Sequence, residues 1–172
     1  GNLLLPNHLS MLAHIEQMLR KVFGHVCIIG GSARPESIES RTDYFPDDEP
    51  GQGPIGGLRT LARLNISDYY VITTCDQPLV APELFGMLSS VSNTHTRMFR
   101  SSASDGFIPF PGLYAQNDLA TLLHDDARAV KSMRQFVAAL DVEWIDVPDF
   151  AHGMLTGANT PDEFRIINEN FS

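Results

Sequence analysis

The chain of 172 residues predicts an α/β layer structure built on a mostly parallel sheet. Three observations predict it. Short apolar runs at 25–29 and 69–75 are rich in β-branched, aromatic and other large apolar residues, which suits strands buried on both faces. Between such runs lie stretches with apolar residues three and four apart, the spacing of amphipathic helices. Glycine and proline punctuate the joins, and no repeat, low-complexity tract or linker divides the chain, so residues 1–172 are expected to form one domain.

The elements follow in order. Asn7 can cap a helix whose stripe is Leu9, Leu12, Ile15, Leu19 and Val22, with Gly24 as its stop. Residues 25–29 form a strand ending at Gly30-Gly31, and residues 34–49 read as polar and irregular. Gly51-Gln52-Gly53-Pro54 is a turn, and Leu58, Leu61 and Leu64 mark a helix after Gly56-Gly57. Residues 69–75 form the second strand, closed by Asp76-Gln77-Pro78. Pro82 starts a helix carrying Leu84, Met87, Leu88 and Val91. Segments 97–102 and 107–115 read as strands around Ser104-Asp105-Gly106. Asn117 caps a helix with Leu119, Leu122 and Leu123, and 130–140 is another with Met133, Phe136 and Val137 inward. The alternation at 142–147 is a strand, and Thr160-Pro161-Asp162-Glu163 opens the last helix.

Composition excludes several classes of function. The formal net charge of −9 argues against a protein that coats nucleic acid, which needs a basic face. No apolar run approaches the roughly 18 residues of a membrane span, so neither nucleic acid nor membrane is an expected partner. Cys27 and Cys75 sit in apolar runs, the usual place of small buried thiols in a reducing compartment, and a cytoplasmic location is expected. The six histidines show no zinc-ligand spacing. No Gly-x-Ser-x-Gly elbow, no Lys-Ser/Thr phosphate loop and no Gly-x-Gly-x-x-Gly follow a strand.

What remains is a set of candidates beyond the C-terminal ends of the strands, where open α/β sheets bind ligands. Asp76 directly follows a strand and would project a hard oxygen ligand suited to Mg²⁺. The plainer alternative is that it caps its own turn. An ionised carboxylate about 4 Å from a phosphate charge costs on the order of 4 kcal/mol at an effective dielectric of 20, so a triphosphate beside Asp76 requires a divalent cation between them. Asp47-Asp48-Glu49 is either a solvated loop or a polar contact at the mouth of the crevice. Gly51-Gln52-Gly53-Pro54-Ile55-Gly56-Gly57 leads into a helix and either forms a plain turn or brings backbone N–H groups to a ligand.

Four segments together resemble one family. Asp47-x-x-Pro50-Gly51-x-Gly53-Pro54-Ile55-x-Gly57, Cys75-Asp76-Gln77-Pro78, Pro109-Phe110-Pro111-Gly112-Leu113-Tyr114 and Asn159-Thr160-Pro161-Asp162-Glu163 are similar, in order and spacing, to the molybdenum cofactor guanylyltransferases. The likeness spans residues 3–164. It implies a Rossmann-like three-layer nucleotidyltransferase fold and transfer of GMP from GTP to molybdopterin, with pyrophosphate leaving. It also implies Mg²⁺ on Asp76, nucleotide contacts from Asp47 or Asp48 and from Gly53, Pro54 and Gly57, and Asn159 on the pterin or metal side. GTP and the molybdenum cofactor are the implied substrates, and molybdoenzymes or their chaperones the implied further partners. A molybdopterin cytidylyltransferase, a sugar-phosphate nucleotidyltransferase and a non-catalytic nucleotide- or pterin-binding relative are the alternatives. The family opens with a strand and a loop of the form Leu-x-Gly-Gly-x-Ser-x-Arg-Met-Gly-x-x-Lys, whereas Gly1-Asn2-Leu3-Leu4-Leu5-Pro6 looks like the segment just after it. The expectation is a preceding stretch outside these 172 residues rather than a degenerate relative, because a lost central strand would leave a sheet edge unpaired.

Overall fold

The computed structural model describes residues 4–31, 33–90, 95–101, 106–124, 129–155, 157–158 and 160–169. Helix α1 (Met11–Val22) is capped by Ser10, whose hydroxyl accepts from Ala13 N at 3.2 Å. Asn7, expected as the cap, instead turns the chain just before it by accepting from Leu9 N. Strand β1 (Cys27–Ile29) pairs in parallel with β2 (Asp43–Phe45), which the polar stretch 34–49 had concealed. Then come α2 (Pro54–Leu64), β3 (Tyr69–Ile72), α3 (Pro82–Ser89), β4 (Arg97–Arg100), β5 (Phe107–Ala115) and α4 (Gln116–Ala120), which runs on into a 3₁₀ turn at Thr121–Leu123. The chain continues through α5 (Met133–Ala138), β6 (Glu143–Asp146) and α6 (Pro161–Glu169). Thr160 and Glu163 close α6 with reciprocal side-chain bonds to each other's backbone N–H, a capping box. Asn117 lies inside α4 rather than capping it. The turn expected at Ser104-Asp105, like Val91 of the third helix, falls outside the described residues.

The second sheet has the order β3-β5-β4-β6. β4 and β6 are parallel, while β5 is antiparallel to both β3 and β4. The α/β class thus holds, and β3, β4 and β6 share one direction, but β5 reverses within an otherwise parallel set. Its connection to β4 spans only 101–106, too short for the crossover of a dozen or more residues that a parallel pair needs. Adjacent residues along each strand serve opposite layers. Met98 and Tyr114 pack with Ile55, Leu58, Leu119 and Phe136 of α2, α4 and α5. Phe99 and Leu113 pack with Ile15, Met18, Leu84 and Phe85 of α1 and α3. Two helical layers therefore cover one sheet, as the period of two requires. A third cluster, Leu5 with Phe164 and Ile167, joins the first described residues to α6.

Gly112 is a tight point within the sheet itself. A Cβ there would lie 2.7 Å from Pro109 O and 2.9 Å from the Tyr114 ring, and the Tyr114 hydroxyl donates to that same Pro109 carbonyl at 2.6 Å. The Pro109–Tyr114 motif is thus accounted for by packing. Cys27 is half-buried and Cys75 exposed, both as free thiols. The exposure of Cys75 corrects the expectation of two buried cysteines, and it arises because β3 pairs only as far as Ile72. Among the described residues no helix is long and apolar enough to cross a membrane.

Arg97 is the largest fully buried side chain among the described residues. Its Nε donates to Glu143 Oε2 at 2.9 Å and its Nη1 to Leu88 O at 3.1 Å, tying β4 to β6 and to the end of α3. Arg97→Ala strands the Leu88 carbonyl and leaves a void. Because the Glu143 side chain is 47% exposed and can be re-solvated, the expected loss is about 3 kcal/mol, the low end for breaking a buried pair. A urea midpoint shift at unchanged slope would measure it.

Candidate functional site

Beyond Ile72 the chain runs through Thr73, Thr74 and Cys75 to Asp76, leaving the sheet at the C-terminal end of β3. The Asp76 Oδ1 atom is buried and has no hydrogen-bond partner. It therefore does not cap its own turn, which closes through the backbone instead, Val80 N donating to Gln77 O. A buried carboxylate oxygen without a protein partner is matched by water or by a cation. Among the described residues no group of three or more His, Cys, Asp or Glu side chains gathers around it. A single carboxylate is a donor that Mg²⁺-type ions accept, because such an ion keeps waters and takes phosphate oxygens as well.

Beside this turn lies a cavity of about 340 Å³. It is bounded by β1 and β3, by Ile15 and Leu19 of α1, and by Pro54, Gly57 and Leu58 of α2, and it reaches Thr73, Thr74 and Cys75 next to Asp76. Two of the sequence-predicted residues, Pro54 and Gly57, thus share one cavity with the approach to a third. Gly53 ends the loop before α2 at φ +58° and ψ −151°, a backbone region open essentially to glycine alone, and this turns the N-terminus of α2 at Pro54. Gly30 and Gly31 follow β1, where the Tyr44 hydroxyl donates to Gly30 O.

The acids at 47–49 have a different surrounding from Asp76. Asp47 Oδ1 accepts from Glu49 N at 2.9 Å and from Thr60 Oγ1 at 3.3 Å, and Asp48 N donates to the same threonine. Glu49 takes Arg59 at 2.9 Å on one oxygen and Arg63 at 2.5 Å on the other, and Arg63 also meets Asp48. The Arg63 hydrogen bond, ahead of the opposing effect of burial and the help of Arg59, holds the Glu49 carboxyl below its ordinary range. Asp47 and Asp48 do not line the cavity, and their polar atoms are engaged in folding the loop onto α2. Asn159 lies outside the described residues. Sequence reasoning missed Arg59, Thr60 and Arg63. The signal was available in two arginines four apart on one helix face, beside an acidic run ten residues upstream.

Residues 3–142 match the family model described as the MobA-like NTP transferase domain. The chain belongs to this family. It is thus an enzyme of the nucleotidyltransferase type. A relative from Flavobacterium johnsoniae, named "Probable molybdenum cofactor guanylyltransferase", is 22% identical over 99% of this chain and 88% of its own. Among solved structures, molybdopterin-guanine dinucleotide biosynthesis protein A from Archaeoglobus fulgidus superposes with a TM-score of 0.76 at 17% identity, over 98% of this chain and 88% of the other. Rv0371c from Mycobacterium tuberculosis, in a complex with manganese, does so with a TM-score of 0.64 at 23% identity, over 96% and 90%. These likenesses establish the Rossmann-like nucleotidyltransferase fold for this member of the MobA-like family.

Two expectations arise from the loop of this MobA-like chain. A Cβ at Gly56 would lie 2.7 Å from Glu49 O and 3.1 Å from Asp47 Oδ2, whereas at Gly57 its nearest neighbour is Ile29 Cγ2 at 3.9 Å. Gly56→Ala should therefore cost about 1–3 kcal/mol by overpacking, and Gly57→Ala should leave the melting temperature unchanged or raised. Thermal melts of the two variants decide it. The Glu49 ion pairs contribute stability in full above the unfolded carboxyl value of about 4.3, and lose it as pH falls through the lowered folded value. Glu49→Gln should be less stable than the parent at pH 7, and the gap should close on acidification through that window.

Proposed function

We propose that this MobA-like chain is a molybdenum cofactor guanylyltransferase, transferring GMP from GTP to molybdopterin in a Mg²⁺-dependent reaction, with residues 1–172 acting as one nucleotidyltransferase domain. The observation that carries this reading is the buried, unpartnered Asp76 Oδ1 four residues past the end of β3, next in sequence to Cys75 of the cavity that Pro54 and Gly57 line. The names of its relatives from F. johnsoniae and A. fulgidus support the nucleotide and the acceptor, and the manganese complex of Rv0371c supports a divalent cation.

In this reading Asp76 is the residue that would hold the ion. When bound, Mg²⁺ offsets the negative charge of the phosphates and stabilises the charge that develops on the transferred phosphoryl group. The chain's own contribution is positioning. Gly53 and Pro54 aim the start of α2 at the cavity, where helix N–H groups favour an anion. Gly57 carries no side chain to obstruct a nucleotide lying along that helix. Asp47 and Asp48 hold the loop that carries Gly53, and their place near the nucleotide is through that loop. The terminal phosphate of molybdopterin attacks the α-phosphorus of GTP and pyrophosphate leaves, so no protein nucleophile is required. Asn159 stands on the acceptor side in this reading. The product passes to molybdoenzymes or their chaperones, and free thiols at Cys27 and Cys75 suit a cytoplasmic enzyme.

Turnover of GTP with molybdopterin, measured on the natural full-length protein, tests the proposal. Asp76→Asn should lower it by about a hundredfold or more while the melting temperature is unchanged or raised, since Oδ1 bonds nothing in the fold. Unchanged turnover would remove Asp76 from the reaction. Consumption of CTP in place of GTP would reassign the enzyme as a cytidylyltransferase.

A further inference from the structure

The turn that carries Asp76 is tied to one distant stretch of chain at two points. The Asp76 carbonyl accepts from Ala158 N at 2.7 Å, and Gln77 Nε2 donates to Leu155 O at 3.0 Å. Both ties reach the short connection before α6, about eighty residues further along the chain. Gln77 is only 8% exposed, and its Oε1 faces the Thr74 hydroxyl at 3.5 Å, the outer limit of a hydrogen bond. A buried primary amide gains nothing over a hydrocarbon of its size unless its bonds are used. Here the strong bond is the one to Leu155.

Geometry explains why the second tie is needed. A turn held through one backbone bond can still swing about that bond. A second bond from the next residue, to a carbonyl three positions away, removes the swing. The group whose direction is thereby set is the neighbouring Asp76 side chain, whose Oδ1 is buried without a partner. A carboxylate that must present an oxygen to a cation has to be oriented by its surroundings before the cation arrives.

We propose that Gln77 is a positioning residue, anchoring the Asp76 turn to Leu155 so that Oδ1 stays aimed at the divalent cation. This rests on the reading of Asp76 as the cation ligand. The test is a Mn²⁺ titration followed by electron paramagnetic resonance, with and without GTP, on the natural full-length protein and on Gln77→Met, Gln77→Asn and Asp76→Asn. Methionine keeps the volume and loses the donor. Asparagine keeps the amide but is one methylene short of Leu155. Both should bind Mn²⁺ about tenfold more weakly, with melting temperatures lowered by only about 2–4 °C. Mn²⁺ affinity within twofold of the parent in either folded variant, alongside loss of binding in Asp76→Asn, overturns the role of Gln77 alone. Parental affinity in Asp76→Asn as well overturns the reading of Asp76 beneath it.

Discussion

The pairing of β3 with β5 is the constraint from which the site follows. The register sets Tyr69 opposite Ala115 and Ile72 opposite Gly112, and at that point β3 stops. Gly112 has no room for a side chain, and β5 leaves its ladder with β3 there. The next residues of β3 are released from the sheet, and Asp76 emerges at its edge. The same strand β5 is clamped from both faces, by Tyr114 on one side and Leu113 on the other. A shift by one residue would exchange these two and move every core contact to the wrong layer. The direction of Asp76 is therefore set by core packing as much as by its own turn.

Two kinds of acid serve this molecule in opposite ways. Asp47 and Glu49 are satisfied by Thr60, Arg59 and Arg63, and they hold a loop. Asp76 is left with a buried oxygen that nothing satisfies. The first arrangement ties a loop to a helix, and the second ties nothing.

Much of this was legible in the sequence. The helices announced themselves by spacing, and β3 by its β-branched and aromatic run, because burial against two layers leaves a periodic trace. The place of Asp76 just past the end of β3 was legible as well, while its freedom from a turn-capping bond was not, because Asp-x-Pro serves equally as turn chemistry. β2 was not, because three residues paired only to β1 carry too little pattern in Asp43-Tyr44-Phe45. The reversal of β5 was concealed because strand direction depends on connection length and partner choice rather than on residue type. The partners of Asp47 and Glu49 were hidden for a related reason. They lie on α2, ten or more residues away, and only the helix's rotation reveals which of its side chains face the loop.

Arg20, Arg41, Arg59, Arg63, Arg97 and Arg100 each face a carboxylate of the same chain. With so many cations paired to acids of their own chain, the excess of nine negative charges falls to the remaining side chains. The far field of the molecule consequently draws in divalent ions and repels free polyphosphate. For the activity proposed above, background salt would act on the two encounters with opposite sign, slowing that of the ion and easing that of the nucleotide. On that reading a nucleotide already carrying its metal would present a smaller charge to this field than a free one.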